Sequence, residues 1–71
     1  MSNVKDSLFD PVAFGARVKA VMQKRGLSYR EAAEEMNMDQ ATVHRVTHGL
    51  SPSVESYLRL VSWLSRQKGK I

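Results

Sequence analysis

Residues Ser28 to Gly49 read SYREAAEEMNMDQATVHRVTHG, and this stretch decides the fold. Ser28 and Glu31 stand at capping-box spacing: the hydroxyl accepts from the backbone N–H three residues on, while the carboxylate reaches back to the serine. Ala32, Ala33 and Met36 follow as one buried stripe at helical spacing. Asn37 falls where that helix must stop and the chain reverse, and asparagine tolerates the left-handed conformation better than most residues bearing a Cβ. Asp39 is placed to cap a second helix, with Met38 before it and Val43 four residues after it as a hydrophobic staple. In that second helix the clearly apolar positions are Val43 and Val46. Gln40, Ala41, His44 and Arg45 are therefore expected to point away from the core.

Two helices on a short turn, the second with an exposed polar edge, form the pattern of a helix-turn-helix. The second helix of such a pair enters the DNA major groove with its N-terminal residues facing base edges. The residue types suit that task. Gln40 can pair bidentately with adenine and Arg45 with guanine, and Ala41 or Thr42 can touch a thymine methyl. The plainer alternative is a helical hairpin whose outer face is merely solvated.

With 71 residues the chain has room for one domain, and a domain this small buries only about 60% of the surface its unfolded chain exposes. It has no cysteine, which excludes a disulfide framework and a thiolate metal site and points to the cell interior. No apolar run approaches the roughly 20 residues that cross a bilayer, and the start lacks a basic-then-apolar leader pattern. The expected location is the cytoplasm, at the nucleoid. Eleven Lys and Arg against seven Asp and Glu leave a net charge of +4, as expected of a domain that meets nucleic acid, though many basic small proteins bind none.

Outward from the central stretch, Met1 to Ser7 has no periodicity and reads, with the rest of residues 1–10, as a flexible arm in which Lys5 could reach a phosphate. Asp10-Pro11 starts a helix: aspartate caps, and proline at the first position loses no hydrogen bond. Phe14, Val18, Val21 and Met22 give that helix one buried face, and Lys24, Arg25 and Gly26 end it. Gly15 inside it costs about 1 kcal/mol relative to alanine, which implies a close backbone contact or a frayed first turn. Arg17 lies off the apolar stripe and is a candidate phosphate contact beside the plainer reading of a solvated cation.

His48 to Ser53 is a loop by composition, and Ser51 or Ser53 can cap the helix after it. Free N–H groups and hydroxyls there are candidate phosphate contacts. The last helix, about Val54 to Ser65, carries Val54, Tyr57, Leu58, Val61 and Leu64 at core spacing. Leu60 and Trp63 widen its apolar arc, and Trp63 falls nearly opposite Val54. An outward Trp63 with Leu60 would make a partner surface; the alternative is that Trp63 folds over the edge of a small core. Residues 66–71 read as a basic tail, leaving 11–65 as the domain.

Phe14 to Leu64 resembles the Cro and lambda-repressor family of phage and bacterial helix-turn-helix proteins. The residues that carry the resemblance are Val18 and Val21, Gly26-Leu27-Ser28, Glu31, Ala33 and Met36, and the turn Asn37-Met38-Asp39. Val43, Val46, Gly49, Pro52-Ser53, Tyr57, Leu60, Val61 and Leu64 continue it. The resemblance implies an all-α, compact bundle of four to five helices, with the helix-turn-helix formed by helices 2 and 3. It further implies a double-stranded DNA operator bound through the major groove, generally by a homodimer on a two-fold site. Base-reading positions carry over to Gln40, Ala41, His44 and Arg45, with Thr42 intermediate. Phosphate positions carry over to Tyr29, flanked by Ser28 and Arg30, and to His48, Leu50 and Ser51. The chain departs from the family at Met22 and Thr47, where many members pair an arginine with a glutamate. It also has almost no sequence left for the fifth helix that often makes the dimer. Pairing would then fall to the fourth helix with Trp63, to the arm, or to DNA itself. No effector domain is visible, so no small-molecule effector is expected.

Other classes are weaker. His44 and His48 stand at i, i+4, a spacing that can hold a metal, but a zinc site wants a third ligand, and Asp39 and Glu55 are not placed for it. No nucleophile–base pair or phosphate-cradling loop marks an enzyme, and no cofactor is implied. The serious rival is a protein-interaction module on the same scaffold, an antitoxin half or a repressor antagonist. The face of Gln40, Ala41, His44 and Arg45 argues against it, since it has neither apolar anchors nor an acidic residue. The expectation is a transcriptional regulator, most simply a repressor.

Overall fold

The structure, a computed structural model, describes residues 9–68, Lys68 by its backbone only. Four helices make up the described chain: α1 (Pro11–Arg25), α2 (Tyr29–Met36), α3 (Gln40–Thr47) and α4 (Val54–Lys68). The expected all-α architecture is met at the lower end of its helix count. The arm residues before Phe9 and the tail after Lys68 lie outside the described residues, Lys5 among them.

Local chemistry sets most of the boundaries. Asp10 Oδ1 accepts from the N–H groups of Val12 and Ala13 at 3.0 and 3.2 Å, with Pro11 at the first helical position. Ser28 and Glu31 close the capping box, with bonds of 3.1 Å from the Glu31 N–H and 2.8 Å from the Ser28 N–H. Ser53, rather than Ser51, caps α4 through its Oγ and the Ser56 N–H. One cap differs from expectation. Asp39 has the extended backbone of an N-cap, but its side chain makes no capping bond.

The first three helices end in the same way. A residue at positive φ (Gly26, 68°; Asn37, 58°; Gly49, 89°) is followed by an N–H that bonds five residues back. Those bonds run from Leu27 to Met22, Met38 to Ala33 and Leu50 to Arg45. Each satisfies a carbonyl that the helix end would leave orphaned, and each turns the chain sharply toward the next helix.

The core gathers Phe14, Val18 and Met22 from α1, Ala32, Ala33 and Met36 from α2, Val43 and Val46 from α3, and Leu60, Trp63 and Leu64 from α4. Met22, where the resembled family places an arginine, is simply one of these apolar residues. Gly15 explains itself by position. A Cβ built there would stand 2.1 Å from the carbonyl oxygen of Val46, so α1 and α3 cross backbone to backbone at this point. Of the two expectations for this glycine, close approach holds. That crossing fixes the tilt at which α3 leaves the body.

The face of α4 corrects the sequence expectation. Val54 is 77% exposed and Leu58 60% exposed, whereas Leu60 and Trp63 are 0% and 1% exposed. The buried arc runs through Tyr57, Leu60, Val61, Trp63 and Leu64, displaced around the helix from the expected stripe. Trp63 and Leu60 thus present nothing to a second chain, because α1 and α2 already cover them. The indole N–H has a partner inside the fold: it donates to Glu35 Oε1 at 3.0 Å. A tryptophan goes fully inside when its one polar atom is satisfied there.

Both domain edges also shift. Phe9 packs edge-on against Tyr57 at 5.3 Å and beside Phe14 at 5.6 Å, so the folded unit starts before Pro11. At the other end α4 continues through Arg66 and Gln67 to Lys68. Gln67 accepts from Arg25 Nη1 at 3.0 Å and donates to the Trp63 carbonyl at 2.9 Å, which holds the last turn onto the body.

Candidate nucleic-acid interface

Short α3 is held from behind by Val43 and Val46, both buried, at i and i+3 on its inner side. A helix anchored on one edge must show the remainder to solvent. Gln40, Ala41, His44 and Arg45 are all exposed, and Thr42 is half-buried, as its intermediate position in the pattern suggests. Tyr29, at the start of α2, joins Gln40, Ala41, His44 and Arg45 around one shallow depression. The structure thus brings one expected phosphate residue next to four of the expected base-reading residues.

The depression is organised by contacts among its own side chains. The Tyr29 ring meets His44 edge-on at 5.0 Å, and His44 stacks on His48 at 4.1 Å with the planes 26° apart. Thr47 donates its hydroxyl proton to the His44 carbonyl at 2.8 Å and lies 3.5 Å from the Tyr29 hydroxyl. His48 Nδ1 is 2.8 Å from that same carbonyl. Arg45 Nη2 reaches only Thr42 Oγ1, at 3.4 Å, and so keeps nearly all of its donors for another partner.

The remaining candidates divide. Arg30 is exposed beside Tyr29 at the start of α2. Ser28 is exposed too, but its hydroxyl and N–H are occupied by the capping box. In the loop after α3, the expectation of free N–H groups is corrected for His48, Gly49 and Leu50, which all bond back to α3 carbonyls; the N–H groups of Ser51 and Ser53 make no such bond. The Leu50 side chain is left exposed, as is Ser51. Arg17 does not join this face. It lies in the seam between α1 and α4, beside Tyr57, Val61 and Leu64, two residues from the glycine that faces α3. Trp63 and Leu60, buried in the core, stand apart from it as well.

Sequence inspection missed the polar support of the motif. Arg25 holds Glu35 bidentately, Nη1 to Oε1 at 2.7 Å and Nη2 to Oε2 at 2.9 Å, tying the end of α1 to the last turn of α2. Arg59 of α4 donates to the carbonyl of Asn37 at 3.0 Å and to Glu55 at 2.8 Å, pinning the turn between the two motif helices. Arg25 and Glu35 are 10 residues apart and Arg59 and Asn37 are 22 apart, beyond any local spacing rule; only Arg59 and Glu55 stand at the helical i, i+4 spacing. Glu35 is held below the usual carboxylate range, chiefly by its bond from Arg25 and next by the indole N–H. Glu31 is lowered as well, first by the backbone N–H of Ser28.

Among the described residues no group of three or more His, Cys, Asp or Glu side chains is gathered as for a metal ion. No described helix is long and apolar enough to cross a membrane. No curated protein and no solved structure is a significant match to the chain. The helix-turn-helix domain family does match, over residues 13–66, which takes in nearly all of the four-helix body. Such a domain points to DNA as the partner. With the match covering well over half of the sequence and the geometry of α2 and α3 agreeing with it, the chain belongs to the helix-turn-helix domain family.

Proposed function

We propose that this protein is a sequence-specific double-stranded DNA-binding transcriptional regulator of Cro or lambda-repressor type, most simply a repressor that occludes a promoter. The observation that carries the reading is the outward face of α3: an amide, an imidazole and a guanidinium stand together on a helix braced from behind by Val43 and Val46. In a major groove, Gln40 and Arg45 offer the bidentate donors that distinguish adenine and guanine, and Ala41 leaves room for a thymine methyl. Tyr29, Arg30 and His48 flank that row and suit backbone phosphates, which set register without reading sequence. A two-fold operator calls for two copies of the chain, joined through surfaces other than Trp63 and Leu60. No chemical step and no cofactor belong to this reading.

Selection of bound sequences from a random duplex pool tests it. The expected result is a short consensus repeated as an inverted pair, with affinity that falls steeply as salt rises. Recovery of no consensus, with no duplex retained in dilute buffer, would refute it.

A second reading, a protein-interaction module, is favoured by the exposed pair Val54 and Leu58, one turn apart on α4. A partner held by those side chains would respond weakly to salt, which separates the two cases.

A further inference from the structure

The stacked histidines carry a proton constraint. A carbonyl oxygen accepts hydrogen bonds and donates none, so the 2.8 Å contact between His48 Nδ1 and the His44 carbonyl requires the proton to sit on Nδ1. In the neutral ring the other nitrogen, Nε2, is then a bare acceptor. A phosphate oxygen is also an acceptor, and two acceptors do not bond. Only the imidazolium, with a second proton on Nε2, can donate to phosphate and attract its charge.

We propose that His48 engages the DNA backbone solely as the imidazolium, so that binding draws a proton onto this ring. The inference rests on the DNA-binding reading proposed for α3. The surroundings leave the added charge to be balanced from outside. Among the described residues neither imidazole has a carboxylate within 4.0 Å. From α2 the group facing the pair is the Tyr29 phenol. From α1 the neighbours of this end of α3 are Val12, against Gly49, and Gly15, against Val46 and Thr47. On α1, Lys19 stands one turn beyond Gly15 on the same side, and Arg45 follows His44 on α3; neither hydrogen-bonds to a ring among the described residues. The last turn of α3 favours a positive charge through its dipole. The His44 ring lies nearly parallel to that of His48 at 4.1 Å, so a positive charge on one repels a positive charge on the other. A phosphate placed at Nε2 supplies the missing anion.

Phosphate contact is independent of sequence, so a mixed-sequence duplex two helical turns long serves as the probe. Its affinity for the full chain, for His48→Gln and for His48→Lys is measured by fluorescence anisotropy from about pH 8 down to about pH 5 at constant ionic strength. The parent is expected to bind about tenfold more tightly at the acid end. His48→Gln should change by no more than about twofold once the pH response shared by all three proteins, such as that of the α-amino group, is removed. His48→Lys should stay tight throughout, because its donor is always charged. Titration calorimetry of the parent in two buffers of different ionisation heat adds a readout that needs no variant, and proton uptake on binding is expected. A flat parent profile, an equal slope in His48→Gln, or binding without uptake would overturn the proposal while leaving the DNA-binding reading intact. Absence of duplex binding at every pH would overturn both.

Discussion

The indole N–H of Trp63 donates to Glu35 Oε1 at 3.0 Å, the same oxygen that accepts from Arg25 Nη1 at 2.7 Å. One carboxylate thereby joins the end of α1, the last turn of α2 and the middle of α4. The ion pair stands partly in solvent, where such pairs contribute little by themselves. Its larger effect is to give the indole a fixed acceptor at the edge of the core, so the largest side chain in the protein can be buried with no polar atom left over.

Trp63→Ala should therefore act on folding. Loss of a fully buried aromatic costs about 3–5 kcal/mol, a large share of what so small a domain has. Trp63→Phe keeps most of the apolar contact and should cost clearly less. Urea denaturation followed by circular dichroism measures both. An alanine variant as stable as the parent would show that the indole is not in the core.

Acid should expose the Glu35 contribution. Because the folded carboxylate lies below its ordinary value, its contribution to stability is fully present above the unfolded value of about 4.3 and is lost as pH falls through the lower folded one. Glu31, lowered by the Ser28 backbone N–H, adds to the same limb of the curve. Thermal midpoints recorded from about pH 5 to about pH 3 should fall more steeply for the parent than for Glu35→Gln. Parallel curves for the two proteins would contradict the bonding described.

Gly15→Ala reverses the usual sign of its substitution. In an open helix the change gains about 1 kcal/mol. Here the new methyl would meet the Val46 carbonyl, with backbone on both sides and no flexible group to give way. Overpacking of this kind costs about 1–3 kcal/mol or more. Chemical denaturation should show net destabilisation, and duplex affinity should drop with it as α3 is pushed from its seat. A stabilised variant would rule out the close crossing.

Arg45→Ala should weaken binding to the selected operator by about 1–3 kcal/mol and relax base preference at one position. The fold should be untouched, since Arg45 makes a single long bond to Thr42. A competition assay with singly substituted operators reads both effects. Unchanged affinity and selectivity would remove Arg45 from the base-reading set.

The helix-turn-helix was legible because its determinants are local. The Ser28–Glu31 box, the left-handed Asn37 and the stripes Ala32–Met36 and Val43–Val46 all act within about one turn, where spacing along the chain fixes spacing in space. The outward set on α3 came by subtraction, since a helix anchored on two valines has one way to face. The aspartate cap at residue 39 failed for a different reason: the backbone adopts the cap conformation, but which acceptor a side chain uses is not set by residue type.

Sequence alone thus determined where the first three helices start and stop, where α4 starts, and which side of α3 looks outward. The tertiary structure decided the side of α4 that is buried, the place of Phe9 in an aromatic cluster, the separation of Arg17 from the α3 face and the approach of His48 Nδ1 to the His44 carbonyl. The physical reason is the same in each case. A helix apolar around most of its girth, from Val54 to Trp63, has no preferred face until its neighbours present the space to be filled. Likewise the acceptor for an indole or an imidazole comes from wherever the fold has carried one: for Trp63 it was a carboxylate 28 residues away.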